Sequence, residues 1–215
     1  DLDKGFLEPT EKVVREAGGI IIADEVQPGF GRLGTHMWGH QKSELTPDVV
    51  TLGKPMGNGH PVAGVVTSLE TMTTFRESFR YFNTFGGNPV SCAAAMAVLN
   101  VMEEEGLMEQ ARDVGDYARA GLKELAQRHE AIGDVRGSGL FFGAEMVLDR
   151  NTKEPAIDFT NRVANEMRQR GVLLNKLGIH YNTLKIRPNL QFTRENADLL
   201  LSTLDTVLST VPLHP

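Results

Sequence analysis

Along the first half of the chain, short apolar runs alternate with polar, glycine-bearing stretches. Ile20 to Ala23 and Val49 to Leu52 are unbroken apolar or β-branched runs, and Val62 to Thr67 is a third. Runs without polar alternation predict strands covered on both faces. Glu8 to Glu16 has the amphipathic spacing of a short helix stopped by Gly18-Gly19. Gln27 to Gly34 reads as loop, and Asn83 to Pro89 as a glycine-rich turn. "VSCAAAMAVLNVMEEE" (Val90 to Glu105) predicts a helix whose alanines imply close packing on a neighbour, and Leu107 to Arg128 predicts another.

Beyond "GDVRGSG" the pattern changes. Leu140 to Leu148 predicts a strand, 149 to 156 a polar loop, and Phe159 to Arg170 a helix. Val172 to Asn175 and Leu184 to Arg187 predict strands, and Arg194 to Leu208 a closing helix. The fold class expected is α/β. Residues 1–105 would form part of a large domain with a mainly parallel sheet, and 106–215 a smaller α+β domain. A helix leads into the first strand with no strand before it, and the first residue is Asp1. That order predicts a piece of a longer chain.

Composition narrows the classes. Of 215 residues, 40% are hydrophobic and 23% charged, as in ordinary globular proteins. Twenty-two basic against 28 acidic residues give a net charge of −6, and no basic block suggests nucleic acid. No apolar run is long enough to span a bilayer. Cys92 is the one cysteine, so there is no disulfide framework. Together with the lack of a secretory pattern, this leads us to expect a cytoplasmic protein.

The candidate chemistry lies where two of these strands end. Asp24 and Lys54 each follow a buried-type strand, and in an open parallel sheet the C-terminal edge carries the ligand crevice. Asp24 taken alone also fits a turn cap, and Lys54 alone also fits a solvated loop lysine. As a pair they match the needs of pyridoxal phosphate, which takes a lysine as a Schiff base and a carboxylate at its pyridinium nitrogen. A closed crevice would make the amine nucleophilic by disfavouring its charged form.

Three stretches carry a family resemblance: "IIIADEVQPGFGRLG" (20–34), "PDVVTLGKPMGNGHPVAGVV" (47–66) and "NTFGGNPVSCAAAMAVL" (83–99). In order and spacing they resemble the C-terminal half of class III aminotransferases of the ornithine or GABA type, with fold type I. The resemblance implies pyridoxal 5'-phosphate as cofactor, an amino acid or amine as donor, a 2-oxo acid as acceptor, and a homodimer or larger assembly. It implies Asp24 at the ring nitrogen, Gln27 near the phenolic oxygen, and Lys54 as Schiff-base and proton-moving residue. Thr84 would bind the phosphate in the neighbouring subunit's site. Arg187 in "LKIRPNLQF" would grip the substrate carboxylate, for which a guanidinium fork is suited. Its other reading is a surface arginine at a strand end.

Pro28 stands where the family usually has Thr or Ser, and Asn189 where a second proline is common. The resemblance implies an upstream glycine/serine phosphate turn and a stacking aromatic, and neither is found before residue 20. Lyases, decarboxylases and mutases share the same Asp, Lys and Thr, and an inactive fragment is a further alternative. The six histidines show no metal spacing and read as structural or surface. "GSGLFFG" runs into a strand, which excludes a dinucleotide fingerprint. Cys92 reads as a small packing residue.

Overall fold

A computed structural model describes residues 5–214; the expected domain limits at 1 and 215 lie outside the described residues. The chain divides into two compact units, one ending at Met108 and the other beginning at Glu109.

The first unit opens with helix α1 (Glu8–Glu16), favoured by Pro9 and two glutamates in its first turn and Arg15 in its last. Gly18, at φ 74°, closes it. Arg15 pairs with Asp48 and donates to the Thr46 carbonyl at 2.6 Å. Asp48 also accepts the Ile21 N–H at 2.6 Å, so one carboxylate ties α1 to the start of two strands. Those strands are β1 (Ile22–Asp24) and, after the short helix α2 (Gly39–Lys42), β2 (Val49–Leu52). They pair in parallel, with Ala23 opposite Val50 and Asp24 opposite Thr51. β3 (Gly64–Thr67) runs antiparallel to β2 and completes a three-stranded sheet. Helices α3 (Leu69–Ser78) and α4 (Pro89–Glu104) follow.

The strands expected to be covered on both faces are not covered by these residues. Ile22, Val65 and Val66 are exposed and β2 is half-buried throughout. On α4 only Ser91 and Ala95 are buried, while Ala93, Met96 and Ala97 are exposed. Three strands flanked by short helices have too little chain to cover both faces, so the apolar pattern exceeds what this unit buries.

The second unit begins within α5 (Leu107–Arg128). Its sheet joins β4 (Ile132–Ser138), β5 (Phe141–Asp149), β7 (Asn175–Leu177) and β8 (Thr183–Ile186) in the order β4-β5-β8-β7, all antiparallel. A two-residue strand β6 (Glu154–Pro155) pairs with β5, inside the stretch expected to be loop. α6 (Ile157–Gln169) and α7 (Arg194–Thr210) complete it. Ala111, Val114, Ala118, Leu122 and Leu125 recur on one face of α5 at intervals of three and four. They join Val163 and Met167 of α6, Leu200 and Leu204 of α7, and Phe142, Ala144 and Leu184 of the sheet in one closed core. Gly115 on α5 meets the Gly139 backbone so closely that an added Cβ would lie 2.1 Å from its carbonyl oxygen. No other residue fits that helix–turn approach.

Candidate active site

Parallel pairing sets the site. Asp24 and Thr51 are register partners at the C-terminal ends of β1 and β2, and Lys54 follows Thr51 by three residues. The carboxylate and the amine therefore leave adjacent strands at one sheet edge, as the apolar pattern predicts. Asp24 Oδ1 accepts the Val26 N–H at 3.1 Å and the Thr51 hydroxyl at 3.3 Å. The turn-cap reading of Asp24 thus holds for one oxygen. Among the described residues no donor reaches Oδ2, and Asp24 is exposed. A carboxylate anchored through one oxygen and open at the other suits a protonated ring nitrogen.

Lys54 starts a single turn of 3-10 helix (Lys54–Gly57) after Gly53. Its φ of 39° lies in the left-handed region, an uncommon conformation for a residue with a Cβ and frequent at functional sites. Lys54 is exposed, so the closed crevice expected around its amine is not built by these residues. Gln27 is exposed in the turn after Asp24, where the Gly29 N–H returns to the Glu25 carbonyl at 3.1 Å. Thr84 is exposed in a turn organised by Asn83, whose Oδ1 accepts the N–H groups of Phe85 and Gly86 at 3.1 and 3.0 Å. These N–H groups are committed to the turn itself, which presents the exposed Thr84 hydroxyl.

Arg187 belongs to the other unit and sits just after β8, not within it. Its guanidinium lies over the Phe141 ring at 5.3 Å, and burial pushes its pKa down from the ordinary arginine value. It lines a groove of about 690 Å³ with Asn175, Lys185, Phe192 and Asn196.

Sequence reasoning missed three supports. Thr51 holds Asp24 through the strand register, which the sequence does not show. Glu25, 1% exposed, accepts the N–H groups of Gly39 and His40 at 2.7 and 2.8 Å and meets His40 Nδ1 at 2.8 Å. It pins both ends of the Gln27 loop. His60 reaches Ser91 at 2.8 Å, and no sequence signal links residues 31 apart. No group of three or more metal-ligating side chains occurs among the described residues.

Asp24 and Lys54 thus stand at one edge of a partly parallel sheet. The model of the aminotransferase class-III family matches residues 2–208, and the chain belongs to that family. Alanine–glyoxylate aminotransferase 2-like of Drosophila melanogaster is 48% identical over 199 residues, which cover 92% of this chain and 40% of that protein. The structure of a phospholyase from Arthrobacter in complex with phosphoethanolamine is 48% identical, with a TM-score of 0.94 over 99% of this chain and 50% of that one. An amine transaminase from an uncultivated Pseudomonas species, in its PLP-bound form, is 31% identical, with a TM-score of 0.85 over 96% of this chain and 48% of that one. The chain spans between two fifths and one half of the length of these relatives. The family's cofactor is pyridoxal 5'-phosphate, and its fold is the PLP-dependent transferase fold type I. No helix among the described residues is long and apolar enough to cross a membrane.

Proposed function

We propose that the protein containing this chain is a pyridoxal-phosphate-dependent transaminase that moves an amino group from an amino acid or amine to a 2-oxo acid. The observation that carries this reading is the pairing of Asp24 with Thr51, which puts Asp24 and Lys54 at one sheet edge. Bound pyridoxal phosphate supplies an aldehyde for an amine and a ring that draws electrons from the carbon bearing that amine. Asp24, steadied by Thr51, would face the ring nitrogen and keep its proton in place. Lys54 Nζ would be the amine that holds the cofactor's aldehyde carbon, and it would move the proton to and from the substrate carbon. Gln27 would stand near the phenolic oxygen. Arg187 binds the substrate carboxylate through its fork.

We also propose that residues up to 105 form the cofactor-binding part and that the working unit is at least a dimer, in which the Thr84 hydroxyl donates to the phosphate in the neighbouring site. Mixing inactive Lys54→Ala and Thr84→Ala full-length subunits tests this. Partial recovery of activity after subunit exchange supports it, and exchange without recovery removes it.

A second reading is favoured by the likeness to the phospholyase with phosphoethanolamine. In it the same Lys54 Nζ would take the proton from the carbon bearing the amine, and that C–H electron pair would form a carbon–carbon double bond as phosphate leaves the neighbouring carbon. Incubating the full-length protein with phosphoethanolamine, with and without a 2-oxo acid, separates the two. Phosphate release without acceptor marks a lyase, and an amino acid formed from the acceptor marks a transaminase.

A further inference from the structure

Between Gly53 and His60 the backbone of the lysine loop turns three times. The N–H groups of Met56, Asn58 and His60 donate to the carbonyls of Gly53, Pro55 and Gly57 at 3.0, 3.1 and 3.0 Å. Lys54, Asn58 and Gly59 in this stretch have φ values of 39°, 45° and 102°. Left-handed backbone at residues with a Cβ persists only where its surroundings hold it.

The one-turn helix Lys54–Gly57 packs on α4, and the side chain of His60 closes the link. Its Nε2 lies 2.8 Å from Ser91 Oγ, and Ser91 is buried. Asn88 Nδ2 donates to the same oxygen at 2.9 Å, while Asn88 Oδ1 caps the helix by accepting the Ser91 N–H at 3.0 Å. With one lone pair of Oγ taken by Asn88, Oγ keeps one lone pair and its hydrogen for His60 Nε2, so the bond forms with either imidazole tautomer. A half-buried histidine thus joins the end of the lysine loop to the capped first turn of α4.

We infer that His60 is a positioning residue that fixes the Lys54 loop, and with it the reach of Nζ, through Ser91 and the α4 cap. The inference rests on the reading of Lys54 as the cofactor's lysine. It is tested in the full-length, cofactor-loaded protein with three variants. His60→Phe keeps a ring without the nitrogen, Ser91→Ala removes the hydroxyl, and His60→Gln keeps a polar group at similar reach.

His60→Phe and Ser91→Ala should each lower kcat by roughly ten- to a hundredfold with KM little changed. Each should also move the pH midpoint of the bound cofactor's visible absorbance. The double variant should be no worse than either single one, because both break one link. His60→Gln should restore most of the rate. If His60→Phe fails to fold, Ser91→Ala and His60→Gln carry the same comparison. Unchanged kcat and midpoint, or losses that add in the double variant, would overturn the inference. Borohydride fixation of the cofactor followed by peptide mapping is the separate control. Label on a lysine other than Lys54 in the unsubstituted protein removes the Lys54 reading and the inference with it, whereas label on Lys54 with indifferent variants removes the inference alone.

Discussion

The two units spend their apolar residues differently. In residues 109–214, three helices close over one face of an antiparallel sheet, and Leu122, Met146, Val163, Leu184 and Leu204 are within 1% of complete burial. In residues 5–108, Ile20, Ile22, Val65, Val66, Phe79, Phe82 and Phe85 are all more than half exposed. The buried apolar side chains there are few: Ala23, Phe30, Leu33, Ala95 and Leu107 among the described residues. Yet four of the five candidate site residues lie in this open unit. The comparison separates two uses of an apolar pattern. In one unit it records a core that the unit completes. In the other it records a sheet that these residues leave uncovered, with the candidate residues Asp24 and Lys54 at its edge.

The sharpest break with that account would come from Lys54→Ala in the full-length protein. Turnover should fall by about 10^4-fold or more, since both covalent attachment and proton movement are lost. Cofactor binding should persist in part, and retained turnover without added amine would contradict the role. Asp24→Asn comes next. It keeps the shape and the Thr51 contact but not the charge, so kcat should fall by roughly 10^2-fold with KM little changed. A rise in KM alone would make Asp24 a substrate-binding residue.

Stability should divide the units in the opposite sense. Leu122→Ala empties part of the closed core and should cost about 2–5 kcal/mol in chemical denaturation of this chain. Ile22→Ala, at a position 58% exposed, should cost roughly 0.5 kcal/mol or less. Equal losses would erase the contrast.

The smallest effect concerns acid. His129 Nε2, at 2.6 Å, and Arg128, at 2.8 Å, tie α5 to α7 through Asp205 and hold its pKa below the usual 3.8. A carboxylate depressed in the folded state stabilises fully above its unfolded pKa, and that contribution fades as pH falls below it. Asp205→Asn should therefore lower the melting temperature at pH 7 slightly and leave the two proteins converging below about pH 4. Parallel curves down to low pH would show that the bridge carries no stability.

Much of the frame was legible in the sequence. Glu8–Glu16, Val49–Leu52 and Leu107–Arg128 form with the expected ends, because each is bounded by glycine or by a polar cap. β4 was not, because "GDVRGS" looks like a loop. Its glycines serve packing instead: a Cβ at Gly133 would meet Val147 at 2.7 Å, and one at Gly137 the Phe142 backbone at 2.4 Å. α3 was missed because its threonines favour strand, although Ser68 caps it by accepting the Thr71 N–H at 3.1 Å. β7 starts later than expected, because the Val172 N–H turns back to the Met167 carbonyl to close α6. In the site, Asp24 and Lys54 could be read from strand ends. Thr51, Glu25 and His60 could not, since their partners are brought near only by register and by helix packing.

The central claim is that Lys54 carries the cofactor, and it can be read chemically. The full-length protein is loaded with pyridoxal phosphate, reduced with borohydride, digested and mapped by mass. The account predicts one modified lysine, Lys54, in the peptide that contains "LGKPMGNGH". Modification at Lys42 or Lys185 in its place, or no reducible attachment while the cofactor stays bound, would contradict it.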